Sequence, residues 1–348
     1  MWADKPMSQF AASPVPLILP SHRPVTELCA PRNDFDLLSQ ALADAPLLFP
    51  PKSGRASDLR QAIAALRRHR RVSVYVSLSE KIGLPLALLL KARRIQTPHV
   101  LLAHHLTSPK KRALQARSRW LDGFSRIVVL SEAQAAYLRD EAEYPNQRVA
   151  LLPDSVDTEF WHLPEIDMSD GERFVLSVGQ ERRDYHTLFV AARELSSIPF
   201  VVVAGSAWTN QNTVREDAPP NVAIRQNLPY VELRDLYARS ALVVLPLEAG
   251  VLYAAGANGL LEGMAMGKTV IVTETPGLSG YAEPDTNACV VPAGAPAALA
   301  QAIYGLWKSP EYAARLSVQA RPAVATKHSL EAYVAALVGI VRDAEGER

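Results

Sequence analysis

Along most of the chain, apolar residues fall into two alternating rhythms. Between residues 56 and 71, Leu59, Ile63, Ala64 and Leu66 recur at helical spacing with arginines between them, and the β-branched run 72–76 follows as a strand. The alternation continues with a buried helix at 84–90, a strand at 99–103, a helix at 111–121, a strand at 126–130, a helix at 132–139 and a strand at 149–152. Ahead of it, in a proline-rich segment, Val15–Leu19 reads as a short buried strand and 34–43 as a helix. Parallel strands need crossover connections, so this rhythm predicts a parallel sheet covered on both faces.

A turn-prone stretch at 153–164 interrupts the pattern and reads as a linker. Strands then follow at 174–178, 199–204, 222–225, 241–246, 269–273 and 288–291, with a helix at 187–195. Helices near 296–309, 310–321 and 329–343 close the chain, the last amphipathic through Leu330, Tyr333, Val334, Leu337 and Val341. The prediction is two Rossmann-like, doubly wound α/β domains, at 1–165 and 166–328, with the terminal helix at 329–345 packing back on the first.

A length of 348 residues fits two cores better than one, and 48% apolar with 21% charged residues excludes a disordered chain. The longest apolar run, 82–90, is about half a membrane span, so no bilayer crossing is expected. The N-terminus lacks the order of a secretory signal, and a cytoplasmic protein is expected. Cys29 and Cys289 have no metal-ligand spacing around them, and neither a disulfide framework nor a metal site is expected. The net charge of +1 hides an asymmetry: 22 Lys+Arg against 15 Asp+Glu up to Phe160, and 15 against 21 beyond it. A basic N-terminal half fits an anionic partner such as a membrane surface, an acidic glycan or a phospholipid, and solvated helix faces explain it equally well. No nucleic-acid recognition motif accompanies the basic residues.

In doubly wound sheets ligands sit beyond the carboxyl ends of the strands. Two such turns carry chemistry. Ser177-Val178-Gly179-Gln180-Glu181-Arg182-Arg183 ends a strand with a glycine and two arginines, which can pair with phosphate oxygens while the glycine lets backbone amides approach. Leu245-Pro246-Leu247-Glu248 leads through Tyr253-Ala254-Ala255-Gly256-Ala257-Asn258-Gly259 into a helix whose N-terminus offers free amides and a positive dipole end. Glu262, one to two turns inside, can accept hydrogen bonds from vicinal ribose hydroxyls. Taken singly, a surface Arg-Asp pair and helix-packing glycines explain the same residues.

Taken together, these segments resemble the donor-binding domain of the retaining GT-B glycosyltransferases of glycosyltransferase family four. The likeness runs through Ser177-Val178-Gly179, Ala204-Gly205-Ser206, Leu228-Pro229-Tyr230, Val243-Val244-Leu245-Pro246, Leu261-Glu262-Gly263-Met264-Ala265-Met266-Gly267-Lys268 and Thr275-Pro276-Gly277, with Pro153-Asp154-Ser155-Val156-Asp157 as an interdomain hallmark. It implies a GT-B fold, two Rossmann-like domains facing each other across a cleft. It implies donor contacts from Gly179, Arg182, Arg183, Pro229, Tyr230, Gly256, Ala257, Asn258, Gly259 and Glu262, with Arg183 gripping the diphosphate and Glu262 the ribose. His104, or His105 if the register slips by one, is implied to point at the donor sugar. The implied activity is retaining, metal-independent transfer of a hexose from a UDP- or GDP-sugar to a glycan, lipid-linked or small-molecule acceptor, without a cofactor. Peripheral contact with an anionic membrane, at its inner face, is an expectation from the basic N-terminal half.

The chain departs from the family pattern in places. Ala254 stands where the family's first glutamate sits, so that contact is either absent or comes from Asn258 or Glu248, and Gln180 follows the turn glycine in place of an arginine. The segment before Val72 is short and has no glycine-rich acceptor loop. These departures motivate an alternative, a catalytically silent nucleotide-sugar-binding or scaffold protein of the same fold. An NAD-dependent enzyme is disfavoured, because no Gly-x-Gly-x-x-Gly follows the first strand of either domain.

Overall fold

The computed structural model describes residues 13–24, 27, 29–51, 56–163, 173–204 and 218–347. Gly205, Ser206, Pro164 and the expected domain boundary at 165/166 lie outside them. Two separate all-parallel sheets form. The first holds β1 (Val15–Leu19), β2 (Val72–Ser77), β3 (His99–Ala103), β4 (Arg126–Val129) and β5 (Val149–Leu151) in sequential order. The second holds β6 (Val175–Val178), β7 (Phe200–Val203), β8 (Val222–Arg225), β9 (Leu242–Leu245), β10 (Val270–Thr273) and β11 (Cys289–Val291) in the order β11-β10-β9-β6-β7-β8.

Successive side chains of a strand face opposite ways, and strands covered on both sides read as unbroken apolar runs. In the first lobe, α1 (Asp34–Ala41) lies against the face carrying Val74, Val76, Val100, Leu102 and Val128. The opposite face, with Tyr75, Leu101, Ile127 and Val129, packs on α2 (Ser57–Leu66), α3 (Glu80–Ala92) and α5 (Glu132–Ala136), while α4 (Pro109–Ser118) runs nearer the surface. The α3 helix starts four residues before the apolar run that marks it. Ser79 caps it by accepting from the Lys81 amide at 3.2 Å, so polar residues occupy its first turn.

In the second lobe, α6 (Tyr185–Glu194) and, further along the chain, α9 (Pro296–Lys308) cover one face of the sheet. The helices α7 (Tyr230–Arg239) and α8 (Ala257–Ala265) cover the other, and α10 (Pro310–Lys327) reaches both cores. The last helix, α11 (Leu330–Gly346), leaves this lobe and buries Leu330, Tyr333, Val334, Leu337, Val338 and Val341 on the first sheet beside α1. A sequential strand order brings the crossover helices to one side, and α1 with α11 closes the other.

The chain therefore crosses between lobes twice, and the crossings lie side by side. The Val156 amide donates to His328 O at 2.9 Å and the Leu330 amide to Val156 O at 3.1 Å. Arg32 clasps both crossings, reaching Asp157 Oδ1 at 2.5 Å and Glu331 Oε1 at 2.6 Å. Among the described residues no helix is long and apolar enough to cross a membrane.

Candidate functional site

The switch point of the second sheet lies between β6 and β9, because the chain leaves β6 towards β7 on one side and β9 towards β10 on the other. The loops that follow these strands diverge and open a crevice at the carboxyl ends. They are stitched together at their bases: Arg183 and Leu247 form an antiparallel bridge, the Asp184 amide donates to Pro246 O at 2.9 Å, and the Glu248 amide to Arg182 O at 3.0 Å. The crevice faces the carboxyl ends of the first sheet. The resulting cleft has a volume of about 510 Å³, enough for a nucleotide-sugar.

Arg183 sits at its floor. Its Nε donates to Val178 O at 2.8 Å and its Nη1 to Glu181 O at 2.9 Å, so backbone carbonyls aim the guanidinium, and among the described residues no carboxylate lies within salt-bridge distance of it. Burial pulls its pKa below the usual arginine value, the sign of a cation held out of water, and nearby tyrosine and carboxylate groups oppose that shift. Gly179 makes room for it. A Cβ on Gly179 would lie 2.3 Å from Arg183 Nη2, whereas one on Gly256 would press on Leu247 at 3.0 Å and one on Gly259 on Val178 at 3.0 Å. Gly179 and Gly256 also adopt φ of 101° and 91°, open to glycine at little cost.

Gly256 caps α8, whose first turn therefore abuts the guanidinium. The Ala257 amide is used by Ala254 O at 3.1 Å, whereas the amides of Asn258 and Gly259 precede the first intrahelical bond, Leu260 N to Gly256 O, and have no acceptor among the described residues. An aimed cation beside two orphaned amides at a helix N-terminus is an anion seat.

Glu262, one turn further, accepts from the Tyr237 hydroxyl at 2.8 Å. Burial raises its pKa to about 7, against the opposing pull of Tyr237 and Arg183. The group is thus poised between acid and carboxylate near neutral pH. Val203, Leu228, Tyr230 and Leu233 give the cleft an apolar part of its lining. Tyr230 is held edge-on by Phe160 and Trp161, each with ring centroids 6.3 Å away.

The first lobe contributes His104, His105, Leu130 and Asp154 to the wall. The two histidines differ in kind. His105 stacks on Tyr253 of the opposite lobe, ring centroids 4.2 Å apart, and burial lowers its pKa. His104 bonds through Nε2 to Leu78 O at 3.1 Å; since a carbonyl only accepts, that nitrogen carries the hydrogen and Nδ1 is free for a ligand.

Of the residues read from sequence, His104, His105, Gly179, Arg183, Tyr230, Gly256, Asn258, Gly259 and Glu262 all line the one cleft. Three do not. Arg182 takes φ of 54°, and its guanidinium is paired with Glu248 at 2.8 Å on the exposed side of the loop, which also removes Glu248 from the wall and leaves Asn258 there. Pro229 serves as the N-cap of α7, and Ala257 is fully buried, its side chain in the core. Asp154, Glu181 and Tyr253 line the cleft without having been given a role from sequence. Asp154 and Glu181 lie just past expected strand ends, the signal that could have raised them; Tyr253 lies further along its loop, and only folding joins its hydroxyl to Glu181 Oε1 at 2.6 Å.

Comparison with known proteins bears on the family and the fold. Residues 25–160 match the family described as Glycosyltransferase Family 4, and residues 174–309 match Glycosyl transferases group 1. HepE of Anabaena in complex with UDP-glucose superposes with a TM-score of 0.75 at 15% identity, covering 94% of this chain and 100% of that one. A glycosyltransferase from Rickettsia africae gives 0.74 at 13% identity, covering 95% and 98%. Sucrose-phosphate synthase from Thermosynechococcus elongatus gives 0.73 at 17% identity, covering 96% and 100%. No curated protein matches the chain in sequence.

Proposed function

This chain belongs to the glycosyltransferases of the family 4 type and has their GT-B fold, and on that premise we propose that it transfers a hexose from a UDP- or GDP-sugar, with retention, to a glycan, lipid-linked or small-molecule acceptor. The observation that carries the reading is Arg183, aimed beside the orphaned amides of Asn258 and Gly259 with Glu262 one turn away. That spacing suits a diphosphate followed by a ribose. The HepE complexes with UDP and UDP-glucose favour a uridine donor.

In the proposed reaction the bond between the anomeric carbon and the β-phosphate oxygen breaks as the sugar becomes oxocarbenium-like. Arg183 and the α8 dipole stabilise the charge collecting on the leaving phosphate. The acceptor hydroxyl attacks from the face the phosphate leaves, and its proton passes to a departing phosphate oxygen. Such a step needs no protein nucleophile and no paired-carboxylate plan of the glycosidase kind. With the neutralisation supplied by Arg183 and the helix, turnover is expected to be metal-independent. Arg182, Pro229 and Ala257 support the seat through the backbone, and His104 offers Nδ1 to the sugar.

A panel of UDP-, GDP- and ADP-sugars, assayed for transfer and for donor hydrolysis in the presence of EDTA, tests the proposal. Turnover of a UDP- or GDP-sugar with the anomeric configuration kept is expected. No transfer and no hydrolysis with any donor would leave only the silent binding protein.

Glu262 yields a pH prediction. Ribose hydroxyls donate, so the carboxylate binds them better than the acid. With a folded pKa of about 7, the acid form dominates below that value and the favourable ion above it. Affinity for uridine is therefore expected to rise several-fold between about pH 6 and 8. Glu262→Gln should bind more weakly at pH 8 and show a flat profile, both measured by calorimetry; parallel profiles would remove the assigned role.

The first lobe exposes Lys91, Arg93 and Arg94 at the end of α3, and Lys110, Arg117 and Arg119 along and after α4. They support action at an anionic cytoplasmic membrane face, which cosedimentation with phosphatidylglycerol vesicles against neutral ones tests.

A further inference from the structure

The loop after β3 brings His104 and His105 to the cleft, and its main chain is gripped from both sides. β3 lies between β2 and β4, so the helices that follow those neighbours, α3 and α5, start on either flank of this loop. Each sends in a side chain. From α5, Gln134 accepts from the Leu106 amide through Oε1 at 2.8 Å and donates from Nε2 to His104 O at 3.2 Å. From α3, Glu80 Oε1 accepts from the His105 amide and pairs with Lys111 Nζ of α4 at 3.3 Å, and that ammonium also donates to His105 O. Four consecutive backbone groups, His104 O, His105 N, His105 O and Leu106 N, are therefore each bound by a side chain.

Two of these side chains are themselves out of water. Gln134 is 0% exposed and Glu80, the first residue of its helix, 4%. Burying an amide and a carboxylate is costly unless their polar atoms find partners. Burial would push the Glu80 carboxyl up, yet Lys111, His104 and the His105 amide hold it below the usual carboxylate range, so it is an anion at neutral pH. A loop that only connects β3 to α4 has no need of such a device. His104 is exposed and His105 half-buried, so water at the cleft mouth could serve most of the same backbone groups at far smaller cost.

What the three side chains fix is the direction of two imidazoles. The peptide unit between His104 and His105 is held by Gln134 and Glu80, and the next one by Lys111 and Gln134. Turning over either unit breaks two bonds at once and swings a ring off the wall. The rings have ties of their own, His104 Nε2 to Leu78 O at 3.1 Å and His105 in its stack on Tyr253.

Resting on the transferase reading above, we infer that Gln134, Glu80 and Lys111 are positioning residues for transfer, locking the His104–Leu106 main chain so that both imidazoles stand set for the donor sugar before it arrives. None of the three lines the cleft. Their effect on the reaction passes through the histidines, as a supporting shell acts through the groups it holds. Misplacing a group at the reacting centre by about 1 Å can cost on the order of 100-fold in rate, so loss of a clamp shows in kcat and spares the nucleotide, which binds on the other lobe.

Two variants test this. Gln134→Met is similar in length and makes neither bond; Glu80→Gln keeps an acceptor for the His105 amide and drops the ion pair with Lys111. With a nucleotide-sugar that the parent hydrolyses or transfers, Gln134→Met is expected to lower kcat about tenfold or more and Glu80→Gln about threefold, UDP affinity by calorimetry staying within about twofold. In a His104→Ala/His105→Ala background the same changes are expected to cost less than about twofold further, because the groups they position are gone. Amide hydrogen exchange over 104–106 in the ligand-free protein should be slow in the parent and faster in Gln134→Met, a readout independent of turnover. Parent-like kcat in both variants, a fall in UDP affinity that matches the fall in kcat, undiminished losses in the background without imidazoles, or rapid exchange in the parent would overturn the inference. A parent that turns over no donor while its exchange is slow would strike the transferase reading instead, so the two can fail separately.

Discussion

Replacing Arg183 by alanine is expected to weaken UDP binding by about 100-fold and to slow transfer by about 1000-fold, since charge-assisted contacts to a leaving phosphate strengthen as its charge grows. The fold should tolerate the change. Among the described residues the Arg183 side chain is tied to the carbonyls of Val178 and Glu181, both at the cleft, and forms no ion pair that would leave a stranded partner. Calorimetry with UDP and a kinetic assay check the two figures, and a melting temperature within about 3 °C of the parent shows that the loss is local. Arg183→Lys is expected to recover only part of the affinity, because an ammonium cannot hold both carbonyls and present a fork to the phosphate.

Gly179→Ala should do comparable harm by a different route. The new Cβ would stand 2.3 Å from Arg183 Nη2, and the residue would have to keep φ at 101°. The guanidinium must move, and the backbone is strained by about 1–2 kcal/mol. UDP affinity is expected to fall at least tenfold, with a loss of several degrees in melting temperature. Gly294→Ala is the control: that glycine also has a positive φ, 68°, but nothing lies within 4 Å of an added Cβ. It should lower the melting temperature by a similar backbone cost and leave UDP affinity unchanged. Equal loss of affinity in both variants would mean that general strain, and not displacement of Arg183, explains the first.

Much of this arrangement is legible from sequence because a buried parallel sheet writes itself in β-branched runs. Val15–Leu19, His99–Ala103 and Val222–Arg225 form strands over the expected residues, and the remaining strands differ by one residue at one or both ends. The turns after β6 and β9 stand out for the same reason: polar residues and glycines follow directly on apolar runs, so Gly179, Arg183, Gly256 and Glu262 could be singled out before any coordinate was known. Adjacent arginines, however, do not announce which one turns inwards. Only the left-handed backbone at Arg182 sends its side chain to Glu248 and leaves Arg183 for the cleft.

Long-range pairings leave still less trace. The stack of His105 on Tyr253 depends on how the two sheets face each other, which no local pattern encodes. The sequential order of the first sheet belongs with these. A helix–strand alternation fits sequential and reversing orders alike, and the face left open by one-sided crossovers is closed by α11, the last helix of the chain, packed beside α1 near its beginning.

The central claim is that Arg183 and the N-terminus of α8 seat a diphosphate whose ribose reaches Glu262. A crystal structure with UDP bound tests it most directly. The account predicts phosphate oxygens within hydrogen-bond distance of Arg183 Nη2 and of the Asn258 and Gly259 amides, with a ribose hydroxyl on Glu262. UDP bound with its phosphates away from Arg183, or its ribose on a side of the lobe that Glu262 cannot reach, would contradict it.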